Sequence, residues 1–379
     1  MIGRGEGGIR AKSKGREWFL KGLLVLLPIL VTLFLLEGIT RIIFNPVDYL
    51  QPALVADPVL GHKVRAKSAG HDDWGFRNRS VPDRVDIVAI GDSQTYGVSA
   101  KASESWPAIL SKESERSVYN LSLGGYGPVE YEYLLKHKAL TLKPSRIIVG
   151  LYLGNDILDA YNRATRSAST SNSVPSIDID NSRLPTKKLG KLRNYLSRHS
   201  MLYRLTTLSM GERLRRAEMA MTMRDSSNLT VLKDKGGNVI TGFTPDKRQL
   251  ALDINREEVQ KGLQLTKTVI DDIYKICETH SVDLLIVLIP TKESVCLNQL
   301  NTTVHPSPEE MHTLSKSEDY IRQQLLMFMT SANIAHIDLL PHFRKALQHQ
   351  QLYPANFDGH PNEKGYSVIA GAIIKSLQK

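Results

Sequence analysis

Five short apolar segments, at 85–90, 117–121, 146–153, 282–289 and 334–339, limit what this chain can fold into. Each has the length of a strand, and stretches with helical periodicity separate most of them. Strands alternating with helices build a parallel sheet covered on its faces, and such strands read as nearly continuous apolar runs. Helices are expected over 128–141, 256–279 and 363–377. The first has Pro128 in its opening turn and stops ahead of Lys143-Pro144. The second takes Asn255 as its N-cap and gathers Val259, Leu263, Val269, Ile270, Ile273, Ile276 and Cys277 largely on one face.

A second constraint sits near the start. Residues 22–36 are apolar apart from Thr32, and Ile39, Ile42, Ile43 and Phe44 prolong the apolar face. Fifteen residues are short for a membrane span, for which about 20 are usual. Lys21 and Glu37 can snorkel and extend it. Residues 1–17 carry Arg4, Arg10, Lys12, Lys14 and Arg16 against Glu6 and Glu17, a net of +3. Positive charge ahead of a span keeps the N-terminus in the cytoplasm and sends the rest out, to the periplasm or the cell exterior. No small-x-small cleavage site follows the run, which favours an uncleaved anchor over a signal peptide.

The implied organisation is a basic cytoplasmic leader at 1–17, an anchor at 18–44, an irregular pre-domain segment at 45–84 and an α/β domain at 85–379. That domain carries an insertion at about 157–255. The insertion opens on a polar run from Arg163 to Ser173, expected to be mobile, and continues through a basic, helical-looking stretch at about 187–222. Residues 183–224 hold eleven Lys/Arg against two Glu, so most of the chain's net charge of +10 is local. A local excess of this kind is no argument for nucleic-acid binding; it is either a solvated face or a contact for anionic lipid headgroups or an acidic glycan. Cys277 and Cys296 are expected to be unpaired, and no Cys/His cluster has metal-ligand spacing, so neither metal nor cofactor is expected.

The segment 85–90 runs directly into Gly91-Asp92-Ser93-Gln94-Thr95-Tyr96-Gly97, which presents a serine where parallel sheets place their ligands, beyond a strand's carboxyl end. A serine hydroxyl needs an adjacent base. His360 is the candidate, just before the last helix, and Asp358 is two residues earlier, on the same side of an extended segment. An oxyanion would need donors: the Ser93 N–H, a glycine N–H from Leu123-Gly124-Gly125-Tyr126-Gly127, and the amide of Asn155 in Gly154-Asn155-Asp156. Asp92 and Asp156 are expected to brace their turns, and His336 and Asp338, on a strand, to be structural.

These four blocks, with Asn120-Leu121-Ser122-Leu123 ahead of the glycines, resemble those of the SGNH hydrolase (GDSL-type esterase) superfamily over about 57–379. Trp74-Gly75-Phe76-Arg77 and Ile289-Pro290-Thr291-Lys292-Glu293 are similar to segments of its membrane-anchored bacterial members. The resemblance implies a flavodoxin-like three-layer α/β/α fold, Ser93 as nucleophile and His360 as base. It also implies Gly125 and Asn155 as oxyanion donors; Gly125 is preferred to Gly124 by matching the Gly-Tyr-Gly end of its block. Two departures stand out. Gln94 replaces an apolar residue, and the family's Asp-x-x-His spacing falls on Phe357, leaving Asp358 as the acid. An Asp-x-His spacing is similar to that of the alginate O-acetyltransferase branch.

Three functions follow as expectations. The first is a membrane-anchored esterase or deacetylase acting on O-acyl groups of an extracytoplasmic glycan or lipid-linked precursor. The second is an O-acetyltransferase using the same site and a membrane-bound acyl donor. The third is a glycan-binding module with an idle site, which would need a missing site residue, and none is missing.

Overall fold

The computed structural model describes residues 7–168, 187–210, 231–233, 239–300 and 308–378. In chain order the strands are β1 (Leu54–Asp57), β2 (Gly61–Val64), β3 (Ile87–Gly91), β4 (Val118–Ser122), β5 (Arg146–Tyr152), β6 (Val231–Lys233), β7 (Val239–Gly242), β8 (Asp283–Ile289) and β9 (His336–Asp338). The helices are α1 (Gly7–Ile43), α2 (Pro46–Tyr49), α3 (Ser93–Tyr96), α4 (Trp106–Ser114), α5 (Pro128–His137), α6 (Asp156–Ala168), α7 (Lys187–His199), α8 (201–210), α9 (Pro245–Leu252), α10 (Glu257–Thr279), α11 (Lys292–Leu300), α12 (Pro308–Ser331), α13 (Leu340–Leu347) and α14 (Glu363–Leu377). They divide into two compact units.

The smaller unit contains α1, α2, α7 and α8. Within α1, Trp18–Ile43 has mean hydropathy 2.6, long and apolar enough to cross a bilayer. Near its end Glu37 accepts hydrogen bonds from Met201 N at 2.9 Å, Ser200 Oγ at 3.0 Å and Leu202 N at 3.1 Å. A carboxylate satisfying the first amides of a helix is a cap, so Glu37 ties α8 to the end of the apolar helix. Arg204 Nε adds a bond to Tyr49 O at 2.7 Å. The side chains of the leader and of the basic residues at 211–224, Arg213, Arg215, Arg216 and Arg224 included, lie outside the described residues.

The larger unit is built on a five-stranded parallel sheet in the order β4-β3-β5-β8-β9. Its strands coincide with the five apolar segments. Counted along the chain the order is 2-1-3-4-5, that of the flavodoxin-like doubly wound fold. Alternate residues feed two cores: Val88 and Ile90 of β3 join Leu134, Ile157, Leu263 and Ile270 on one face, while Ile87 and Ala89 join Trp106, Phe343 and Ile369 on the other. The sheet is thus the middle of three layers.

Three local expectations are corrected. The segment 45–84 is not irregular: β1 and β2 pair as an antiparallel hairpin, and Leu60, Val64 and Phe76 are buried in the main core. The cap residue of α10 is Arg256, not Asn255, whose side chain bonds Asp253 instead. The polar run that opens the insertion starts inside a helix, since α6 continues to Ala168, and Arg163 pairs with buried Glu130 at 2.7 Å; residues 169–173 of that run lie outside the described residues.

Candidate active site

Close packing forces the turn that displays Ser93. Asp92 caps α3 by accepting from Gln94 N at 2.8 Å. Thr95 lies over the sheet where neither strand has a side chain: a Cβ on Gly91 would sit 2.1 Å from Thr95 Oγ1, and one on Gly150, its register partner, 2.5 Å. The turn closes at Gly97, whose φ of +87° is a backbone conformation that favours glycine. Arg77 fastens the far side, donating to Gly97 O at 2.8 Å and Ala100 O at 3.0 Å. Asn120 Nδ2 adds a bond to Thr95 O at 3.1 Å. His71 contributes a hydrogen bond with the Tyr96 hydroxyl at 2.9 Å.

His360 Nε2 is 2.8 Å from Ser93 Oγ, and His360 Nδ1 is 2.5 Å from Asp358 Oδ1. All three side chains are half-buried. Asp358 also accepts from His360 N at 3.1 Å and from Ser99 Oγ. Burial alone would raise the Asp358 carboxyl, but the bonds from His360 and Ser99 and the nearby imidazole hold it well below the ordinary carboxylate range. It therefore stays charged and keeps the imidazole proton on Nδ1, leaving the Nε2 lone pair toward the serine.

The loop bearing these residues is held from below by Lys292. This side chain is fully buried, and its ammonium donates to Asp358 O at 2.8 Å, Thr241 Oγ1 at 3.2 Å and Asn356 O at 3.3 Å. Burial lowers the Lys292 ammonium to about 8. The β6–β7 hairpin supports the same loop through Gly242 N, which donates to Asn356 O at 3.0 Å. Phe357 packs over Gly242, where a Cβ would be 2.6 Å from its ring. The insertion thus shapes this edge of the site.

Of the glycine pair, Gly124 faces Ser93, since a Cβ there would be 3.5 Å from Ser93 Cβ. Gly125, with φ +81°, is exposed and borders His62. His62 Nε2 donates to Gly124 O at 2.9 Å, and burial lowers its imidazole so that it is neutral. In a trans peptide the carbonyl and the following N–H point opposite ways. A Gly124 carbonyl drawn to His62 therefore turns the Gly125 N–H away from it. Asn155 is half-buried and donates one amide hydrogen to Asp159 Oδ2 at 2.5 Å. Asp156 accepts from Tyr152 N at 2.9 Å and Tyr131 Oη at 3.0 Å, bracing the turn. Burial raises the Asp92 carboxyl, and burial with the charge of Asp92 raises Asp156 well above its ordinary value.

His336 and Asp338 lie apart from this cluster. His336 Nδ1 bonds Ile334 O at 2.8 Å, and Asp338 pairs with Arg322. Cys277 and Cys296 are buried and free. Sequence reasoning missed His62, Lys292 and the hairpin support. The first lies in a segment without clear periodicity, and Lys292 carries no local mark of burial.

No protein-family model and no curated protein matches this chain. Solved structures do. The acetylxylan esterase Axe2 from Geobacillus stearothermophilus is 10% identical, with 79% of this chain and 96% of that one covered and a TM-score of 0.39. A GDSL-like lipase from Bacteroides thetaiotaomicron is 8% identical, over 77% and 87%, with a TM-score of 0.36. LAE5, an alpha/beta hydrolase from the metagenome of Lake Arreo, is 12% identical, over 79% and 97%, with a TM-score of 0.37. The 2-1-3-4-5 parallel sheet between two helical layers, with a Gly-Asp-Ser turn after its first strand and an Asp-x-His loop before its last helix, is a flavodoxin-like α/β/α fold.

Proposed function

We propose that this chain is a membrane-anchored serine esterase or deacetylase. It acts through an acyl-Ser93 intermediate on O-acyl groups of an extracytoplasmic glycan or lipid-linked precursor. The observation that carries this reading is the continuous path from Ser93 Oγ to His360 Nε2 at 2.8 Å and from His360 Nδ1 to Asp358 at 2.5 Å.

In this mechanism Ser93 Oγ attacks the ester carbonyl as its proton passes to His360 Nε2, and Asp358 stabilises the imidazolium. Negative charge on the former carbonyl oxygen is met by the N–H groups of Ser93 and Gly125 and by the Asn155 amide hydrogen not directed at Asp159. His62 acts here as a positioning residue, holding the peptide that carries the Gly125 N–H. As the C–O bond to the sugar breaks, the imidazolium gives its proton to the leaving sugar oxygen, which departs as a hydroxyl, and a water activated by the same imidazole then releases the acid. The Asp358-x-His360 spacing also supports transfer, in which a sugar hydroxyl takes the place of that water.

The full-length protein in neutral detergent should be labelled by a fluorophosphonate probe, and Ser93→Ala should abolish the labelling. Equal labelling of the variant would overturn the nucleophile assignment. Incubation with an acetyl donor, with and without a polysaccharide, separates the two outcomes: free acetate alone means hydrolysis, acetate on the glycan means transfer.

A further inference from the structure

The insertion places a cation that the chemistry above does not use against Gly359, in the loop that carries Asp358 and His360. Arg248 lies on α9, half-buried, with its guanidinium carbon 5.4 Å from the centroid of the Tyr152 ring. The group is pressed against Gly359, the residue between Asp358 and His360. A Cβ there would lie 2.6 Å from Arg248 Nη2, 3.7 Å from Arg248 Cζ and 3.6 Å from Tyr152 Oη. The backbone at Gly359 is not in the left-handed region, so this glycine serves close approach and not an unusual turn. On the other side, a Cβ on Gly154, the neighbour of Asn155, would be 2.6 Å from Tyr152 Oη. The Arg248–Tyr152 pair therefore lies between the loop of the base and the turn of the amide donor.

Among the described residues no carboxylate pairs with Arg248. Its Nε and the Tyr152 hydroxyl are buried without a hydrogen-bond partner. Asp358 is committed to His360 and Ser99, whereas buried Glu293 gives one oxygen to Thr244 N at 3.3 Å and keeps Oε2 without a hydrogen-bond partner; interaction with Tyr152 and the charge of Glu293 favour the Arg248 cation without a direct bond. A guanidinium is a planar fork matched to carboxylate and phosphate oxygens.

We propose that Arg248 is a specificity-determining residue that takes an anionic group of the substrate, a carboxylate or a phosphate, adjoining the ester that Ser93 attacks. This rests on the esterase reading above. It makes the substrate an acylated acidic glycan or a phosphorylated precursor, not a neutral acetylated sugar.

Calorimetry on the full-length protein in neutral detergent tests it with three probes: methyl glucuronoside, glucose 6-phosphate and methyl glucoside. At least one anionic sugar should bind about tenfold or more tightly than methyl glucoside, and the arm that does so separates carboxylate from phosphate. Arg248→Gln should erase that preference. Arg248→Lys, which keeps the charge and loses the fork, should reduce it severalfold, and it decides the matter if the Gln variant does not fold. Equal binding of all three probes by the wild type, no binding of either anion, or a preference unmoved by substitution of Arg248 would overturn the assignment. Binding needs no turnover, so failure of probe labelling at Ser93 would sink the esterase reading separately.

Discussion

At the scale of single residues, Ser93 has two acceptors for one proton. Its Oγ is 2.8 Å from His360 Nε2 and 3.2 Å from Asp92 Oδ2. In the proposed mechanism, transfer to His360 is productive only while the imidazole keeps its Nδ1 proton toward Asp358. Asp358→Asn would let the ring turn over its tautomer and present an N–H to the serine. We expect it to lower kcat/KM for a small acetyl ester by about 10²-fold or more. A variant within twofold of wild type would show that another group holds the ring. The spacing of Asp358 and His360 made this pair legible, because residues i and i+2 of an extended segment face one way. The competing contact from Asp92 was not legible, since it depends on how the turn closes.

Elements meet at the loop 354–360. It is fastened by the β6–β7 hairpin on one side and by Lys292, at the start of α11, on the other. A buried ammonium that gives three hydrogen bonds to this loop and its support is a positioning device. Lys292→Met removes every donor of that side chain and leaves the Asp358 carbonyl without its partner, while Asn356 O keeps its bond from Gly242 N; an unpaired buried carbonyl costs about 1–3 kcal/mol. Kinetics should show kcat reduced by about tenfold or more with KM much less affected, and Lys292→Arg should recover part of it. Unchanged kcat in the Met variant would make Lys292 a packing residue alone. The same interplay explains why 45–84 was hard to read. Gly75 has φ +85°, and a Cβ there would strike Val64 O at 2.2 Å, so the segment is built on turns and single contacts, not on a repeat.

For the molecule as a whole, two expectations concern acid sensitivity and topology. His71 is buried, and desolvation lowers its imidazole from an ordinary 6.5 to about 4. The folded state thus binds its proton later than the unfolded state as pH falls. The stability His71 contributes is complete above pH 6.5 and is lost progressively toward pH 4. Between pH 7.5 and pH 5 the wild type should lose about 2 kcal/mol more than His71→Gln, seen as a narrowing difference between their thermal midpoints. A constant difference would mean that His71 is not held neutral. Topology is tested by fusions: the basic leader ahead of one apolar helix predicts that a C-terminal alkaline phosphatase is active and a green fluorescent protein dark. The reverse pattern would remove the extracytoplasmic substrate class.

The sequence by itself determined the strands, their place in the chain and the turn that carries Ser93. Those depend on local properties: apolar runs, helical periodicity and glycines that permit close approach. It also determined that a serine, an Asp-x-His pair and an asparagine turn stand at separate points of one chain. Only the tertiary structure decided what those points meet. Glu37 was read as a residue able to snorkel, and it caps a helix from the insertion. The insertion was read as a polar run followed by a basic helical stretch, and it supplies Gly242 to the loop of Asp358 and His360 and Arg248 to the edge of Gly359. His62 sets the peptide of Gly124 and Gly125 from a hairpin that has no regular pattern. Each of these is a hydrogen bond or close contact between residues far apart in the chain. Local periodicity carries no information about such pairs, because their partners are chosen by how the layers pack.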